Sequence, residues 1–101
     1  MFGEHFYHKK IRNTVIAFGT IFNNVNINGG GCAVNRYLGE YPNLEACTEA
    51  GRKAHPEGNY AVTWAPNQCW VIGPTNPYDG HFNPVRGWYA VYFRAAGEAL
   101  P

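Results

Sequence analysis

The sequence predicts an α+β fold, in which an amphipathic N-terminal helix forms an arm and one shorter helix packs on a small antiparallel sheet of three or four strands. Three observations favour this class. Large apolar residues near the N-terminus recur at helical spacing, a run of three glycines follows them, and the rest of the chain alternates strand-like stretches with turn residues. We therefore expect a helical docking arm over residues 1–28 and a small α+β domain over residues 29–101.

The helical arm is predicted from the positions of its apolar side chains. These lie three or four residues apart and would share one side of a helix: Tyr7, Ile11, Val15, Phe18 and Phe22. Five β-branched residues between positions 14 and 21 lower the helix propensity, and Gly19 costs about 1 kcal/mol relative to alanine. A helix here would need a surface to pack on, and we expect a short extended piece over residues 24–27 to follow it.

The glycines at positions 29–31 separate this arm from the predicted domain, because glycine allows backbone angles that suit a hinge. The elements expected after them are a strand over 32–38, a helix capped by Asn43, a hairpin of strands 59–65 and 69–72, and a strand over 85–94. The loop between them, residues 73–84, is rich in proline, glycine and asparagine. Loops of this length often carry an interaction, so we expect one here.

The first quarter of the chain also carries a family resemblance. Its opening MFG, the following FY, a KKIR stretch, then FGTIFNN and a closing VNI occur in that order between Met1 and Ile27. This segment resembles the N-terminal part of the tail completion and tail sheath stabiliser family of contractile-tailed bacteriophages. In that family the assembled ring caps the tail and stabilises the sheath. The resemblance implies a virion protein, assembled in the host cytoplasm, whose residues 2–27 form an interface.

Composition favours a subunit of an assembly. Charged residues make up 15% of the chain, aromatic residues 16%, and the net charge is +1, so little repulsion keeps copies apart. We expect other virion proteins and copies of this chain as partners. The candidate interface residues are the large apolar side chains of the arm and of the 73–84 loop, namely Phe2, Phe6, Tyr7, Ile11, Val15, Phe18, Phe22, Tyr78 and Phe82.

Other classes of function are disfavoured by what the sequence contains. No apolar run reaches the roughly 18 residues of a membrane span. The basic residues form one small cluster at Lys9, Lys10 and Arg12, which disfavours nucleic acid as a partner. No set of residues has the spacing of a catalytic, cofactor or metal site. We therefore predict no enzyme activity and no cofactor; a small enzyme using His81 or Cys69 is the least favoured alternative.

The cysteines Cys32, Cys47 and Cys69 are odd in number, so they cannot form a complete disulfide framework. A bridge from Cys47 on the second helix to Cys69 on a strand is possible if their Cα atoms lie within about 7 Å, although buried free thiols are the default. The order of Cys47, YAVTW and Cys69 distantly resembles PAN/apple modules. The alternative function is accordingly a protein- or glycan-binding module that uses the 73–84 loop.

Overall fold

The computed structural model describes residues 6–12, 14–28, 34–54, 59–73 and 81–93. Their elements in chain order are β1 (Phe6–Ile11), β2 (Thr14–Asn28), β3 (Val34–Gly39), α1 (Leu44–Ala54), β4 (Tyr60–Ala65), β5 (Gln68–Gly73) and β6 (His81–Phe93). The strands form one six-stranded sheet in the order β1-β2-β6-β4-β5-β3. Every neighbouring pair in it is antiparallel.

The predicted N-terminal helical arm is wrong, because residues 6–11 and 14–28 form strands β1 and β2. The chain reverses between them at Arg12, whose φ is 51°. β2 then lies between β1 and β6, so it is an interior strand of the sheet. The sheet consequently has six strands where three or four were expected.

The spacing of apolar residues suggested a helix because β2 carries apolar residues on both of its sides. Ile21 packs with the cluster beneath the helix, whereas Phe22 and Val25 pack with a second cluster on the opposite side of the sheet. A strand covered on both faces lacks the simple alternation that identifies a half-exposed strand. The β-branched residues that weakened the helix prediction are those that strands favour.

Helix α1 begins directly after Asn43, the residue predicted to cap it. The side chain of Asn43 caps it, since Asn43 Oδ1 accepts a hydrogen bond from the Ala46 N–H at 2.8 Å. Glu45 lies in the first turn and Lys53 in the last, which suits the helix dipole. At 11 residues α1 is short, and no helix in the described ranges is long and apolar enough to cross a membrane.

Helix α1 covers one face of the sheet, which we call the helix face. The helix approaches β4 closely at Gly51, where an added Cβ would overlap Cγ2 of Val62. The buried core between helix and sheet contains aliphatic, aromatic and sulfur-containing side chains, namely Leu44, Cys47, Tyr60, Val62, Cys69, Val71, Val91 and Phe93. Burial of this apolar surface is the main stabilising contribution that α1 makes.

The opposite face, which we call the far face, is partly covered by the sheet itself. The side chains of Phe22 and Phe82 lie 5.1 Å apart between ring centroids, and those of Phe82 and Tyr92 lie 6.2 Å apart. A strand rises about 3.3 Å per residue, so a straight β6 would place positions 82 and 92 about 33 Å apart. The end of the β2–β6 pair, residues 25–28 with 81–84, therefore folds back over the far face. Ile27, within this folded-back end, is fully buried and packs with Ala61 and Ala90.

Candidate functional site

A cleft of about 260 Å³ lies on the far face, beside the folded-back end of β2 and β6. Two of its lining residues come from β2, one from β6 and five from strands β3, β4 and β5, so it brings together strands that are far apart in the sequence. The lining residues are Asn26, Asn28, Asn35, Thr63, Gln68, Trp70, Ile72 and Trp88. We call this the far-face cleft.

Thr63 is the buried polar group of the far-face cleft. It lies in the middle of β4, paired with Trp70 on one side and with Ala90 on the other, and it is 2% exposed. Its hydroxyl Oγ1 is buried and has no hydrogen-bond partner in the described structure. Leaving a buried hydroxyl unpaired costs about 1–3 kcal/mol. The other buried threonine, Thr48, avoids this cost because its Oγ1 donates to the Leu44 carbonyl at 2.7 Å.

Trp70 lines the cleft on β5 and is held by neighbours on both sides. Its ring lies 5.0 Å from that of Tyr37, at an interplanar angle of 53°. Its Nε1–H donates to Gln68 Oε1 at 3.3 Å, and the Tyr37 hydroxyl donates to the Asn67 carbonyl at 3.4 Å. Tyr37 is 50% exposed, so an aromatic surface continues from the cleft toward strand β3.

The second tryptophan, Trp88, is placed by an irregularity in β6. The register of β2 with β6 shifts between Asn23, opposite Tyr89, and Val25, opposite Pro84. Residues 85–88 therefore bulge out opposite the single residue Asn24, and Trp88 comes to line the cleft.

The far-face cleft is polar without being charged. Four of its eight lining residues carry an amide side chain, one carries a hydroxyl, and none is ionisable. Amides supply both donors and acceptors, whereas indole rings supply flat apolar surface. No group of three or more His, Cys, Asp or Glu side chains within the described ranges could hold a metal ion. The arrangement suits recognition of a neutral polar ligand.

The predicted interface residues fall into three groups. Phe2 and Tyr78 lie outside the described residues. Phe6, Tyr7 and Ile11 lie in β1, and Val15 and Phe18 in β2, where the structure gives their strand pairing: Phe6 is opposite Thr20, Tyr7 opposite Gly19 and Phe18 opposite His8. Phe22 and Phe82 lie together in the far-face core, packed edge to face and partly buried.

The two cysteines considered for a bridge are joined in the structure. Cys47 of α1 and Cys69 of β5 form a disulfide with a Cα–Cα distance of 5.6 Å, and both are fully buried. The bridge ties the helix to the sheet at the helix face, so Cys69 has no thiol that could act as a nucleophile. The disulfide lies on the side of the sheet away from the far-face cleft.

The far-face cleft could not be predicted from the sequence, because the residues that line it come from five different strands. One signal was present. In the stretch Val25-Asn26-Ile27-Asn28 the asparagines alternate with apolar residues, and Asn26 and Asn28 line the cleft while Ile27 is buried in the core. That alternation is typical of a strand with one polar side.

The fold and site define a small, mostly β protein with a disulfide-tied helix on one face of its sheet and a polar cleft walled by tryptophan on the other. Comparison of the chain with protein-family models, with curated proteins and with solved structures finds no significant match.

Proposed function

We propose that the protein is a structural subunit of a tailed bacteriophage, in the neck or tail or associated with the capsid, that joins other virion proteins or copies of itself. The segment that carries this proposal, residues 2–27, is the one that resembles the tail completion and tail sheath stabiliser family. The low charge and high aromatic content of the chain also suit a subunit that is buried in an assembly.

We place the proposed contact with other chains at the exposed edge of strand β1, because the helix whose apolar side was expected to make it does not form. Among the described residues β1 pairs with β2 alone and is the outermost strand at one side of the sheet. An edge strand presents unpaired N–H and C=O groups to which a strand of another chain can add. The part of β1 with regular register runs from Phe6 to Lys9, and a bulge follows between Lys9 and Lys10.

The bulge and the two lysines restrict the proposed contact to the start of β1. Lysines and bulges discourage pairing at an exposed strand edge. Addition of a neighbouring strand is therefore most favourable along Phe6–Tyr7–His8, which lies within the segment of family resemblance. Main-chain hydrogen bonds would supply affinity there, and side chains would select the partner.

Proline substitutions at Phe6 and Tyr7 test this contact. Consecutive residues of a strand direct their N–H groups to opposite sides, so one of the two faces β2 and the other faces outward. Phe6→Pro and Tyr7→Pro should therefore differ: one lowers the melting temperature, whereas the other leaves it nearly unchanged and abolishes self-association or partner capture. Light scattering after size exclusion measures the mass, and thermal unfolding measures the stability.

An antibody against the chain tests the virion assignment directly. Immunogold labelling should mark contractile-tailed particles released from the host. Purified particles that lack the chain, together with a purified protein that stays monomeric at all concentrations, would contradict the proposal.

A self-contained binding module of PAN/apple type is the second candidate, and the Cys47–Cys69 bridge between helix and sheet favours it. Such a module would correspond to the predicted domain over residues 29–101 and would fold without the first 28 residues. However, Ile27 of β2 is fully buried, and β2 pairs with β6 from Gly19 to Asn28. Removal of residues 1–28 should therefore unfold the protein, and a stable, monomeric, ligand-binding fragment of residues 29–101 would favour the module instead.

A further inference from the structure

We propose that the far-face cleft binds a neutral saccharide, with one sugar ring held against its tryptophan surface. This inference goes beyond the proposed structural function and concerns a different surface, because it does not involve the edge of β1. The three observations that carry it are the unpartnered hydroxyl of Thr63, the uncharged amide lining and the two tryptophans at one cleft.

The first observation is that Thr63 Oγ1 is buried and has no hydrogen-bond partner in the described structure. Buried polar groups in folded proteins are nearly always hydrogen-bonded, and an exception in a cleft calls for a partner from outside the chain. Thr63 is 2% exposed and lines the cleft. A hydroxyl can both donate and accept, so a sugar hydroxyl satisfies it in either orientation.

The amide side chains match the same ligand chemistry. Asn26, Asn28 and Asn35 each offer two N–H donors and one carbonyl acceptor, and none requires a charged partner. Adjacent hydroxyls of a sugar present alternating donors and acceptors that such amides can pair. A phosphate or carboxylate would instead require a cation or a cluster of backbone N–H groups, and none of the described lining residues is basic.

Trp70 and Trp88 supply the apolar component. The face of an indole ring carries negative charge density, and the C–H groups on one side of a sugar ring are weakly positive and apolar. Trp70 is held by its contact with Tyr37 and by the hydrogen bond to Gln68, so little side-chain freedom is lost when a ligand binds. The volume of about 260 Å³ lies just below the range of about 300–1,000 Å³ for drug-sized ligands, which suits one or two sugar rings.

The test is a titration of the full chain with short neutral oligosaccharides. The probes are maltotriose, cellotriose and N-acetylchitotriose, followed by tryptophan fluorescence and by the indole and side-chain amide signals in nitrogen–proton correlation spectra. We expect at least one probe to bind with a dissociation constant of about a millimolar or below. Its largest shifts should occur at Trp70, Trp88 and the cleft asparagines.

The decisive variant is Thr63→Val. Valine has nearly the shape of threonine and leaves no buried hydroxyl unpaired, so the folded state should be as stable as the wild type or more stable. Binding should weaken about fivefold, since one hydrogen bond to the sugar is lost. Asn35→Ala, at an exposed position, should weaken binding by a similar factor, and the melting temperature should stay within a few degrees.

Thr48→Val is the matched control. Thr48 is also fully buried, but it lies on α1 and its hydroxyl is already bonded to the Leu44 carbonyl. This change should leave sugar affinity unaltered. Absence of binding by all three oligosaccharides at 10 mM (about ten times the expected dissociation constant) would overturn the proposal. Binding that Thr63→Val and Asn35→Ala leave unchanged would overturn it equally, whereas loss at Thr63 with retained stability would support it.

Discussion

Asn24 and Gly87 are hydrogen-bonded at the point where strands β2 and β6 fold back, with the Gly87 N–H donating to Asn24 Oδ1 at 3.2 Å. Both residues have positive φ, 59° for Asn24 and 88° for Gly87. This backbone region is unfavourable for most side chains but is accessible to glycine and tolerated by asparagine. The pair therefore supports the bulge that carries Trp88 to the far-face cleft.

Substitutions of Asn24 should separate the contribution of its side-chain hydrogen bond from the contribution of its tolerance of positive φ. Asn24→Ala loses the hydrogen bond and puts alanine, which cannot hydrogen-bond to the local backbone, in the left-handed region. We therefore expect the free energy of unfolding to fall by about 2 kcal/mol. Asn24→Gly loses only the hydrogen bond and should cost about 1 kcal/mol. Urea unfolding measures both. Asn23→Ala, at the exposed neighbouring position, is the control and should change stability by less than about 0.5 kcal/mol; equal effects of the two Asn24 variants would contradict the backbone explanation.

Gly51→Ala should destabilise the protein, although alanine usually improves a helix by about 1 kcal/mol. The new Cβ would overlap Cγ2 of Val62, and backbone or helix must shift, at a cost of about 1–3 kcal/mol. Val62→Ala removes the overlapping methyl groups. The double variant should therefore lose less stability than the sum of the single variants, as a double-mutant cycle by chemical unfolding would show. Additive losses would mean that the two residues do not meet.

Reduction of the Cys47–Cys69 bridge should lower stability by about 3 kcal/mol, because the cross-link restricts the unfolded chain. Thermal unfolding with and without reductant measures this difference. In denaturant, the oxidised protein should take up one alkylating group and the reduced protein three, since the chain contains three cysteines. Cys32→Ser should abolish uptake by the oxidised protein, because its remaining two cysteines are joined.

Stability should decrease as the pH rises above 10 because of Tyr60. This residue is 4% exposed and stacks on Phe93 with 4.7 Å between ring centroids. Burial raises the pKa of Tyr60 well above its ordinary value of 10.0. The unfolded chain therefore releases the phenolic proton at lower pH than the folded chain. The contribution of Tyr60 to the free energy of unfolding is fully present below pH 10 and decreases as the pH rises above it.

Tyr60→Phe tests that assignment, since phenylalanine keeps the ring and removes the titrating group. The variant should lose less stability than the wild type between pH 9 and pH 12, as urea unfolding at each pH would show. Parallel curves for the two proteins would assign the alkaline transition to other groups.

Most elements after the glycines could be predicted from local signals. The exception is the start of β6, because the strand begins at His81, inside the stretch expected to be a loop. Tyr60, Val62 and Trp64 alternate with smaller residues as expected for a strand, and these three side chains pack on the helix face. Asn43 was identified as a cap from its side-chain chemistry, and the hydrogen bond to Ala46 confirms it. Such signals depend on residues close together in the sequence, so they can be interpreted without knowledge of the tertiary structure.

The course of β2 could not be predicted in the same way. Its two apolar sides reflect coverage by distant residues, Val91 and Phe93 on the helix face and Phe82 on the far face. Gly19 counted only against a helix in the sequence, but the sheet requires it, because a Cβ there would lie 2.6 Å from Val91 Cγ1. The far-face cleft depends on the same long-range pairing, so neither its location nor its lining followed from periodicity.

The pairing of β2 with β6 joins the two ends of the described chain, with Gly19 opposite Phe93 and Asn28 opposite His81. During translation, β2 leaves the ribosome long before its partner has been made. Contacts between residues so distant in sequence slow folding, and an apolar strand that waits for its partner is prone to aggregate. We therefore expect the β4–β5 hairpin and α1 to form early, and incorporation of β2 to limit both the folding rate and the yield of soluble protein.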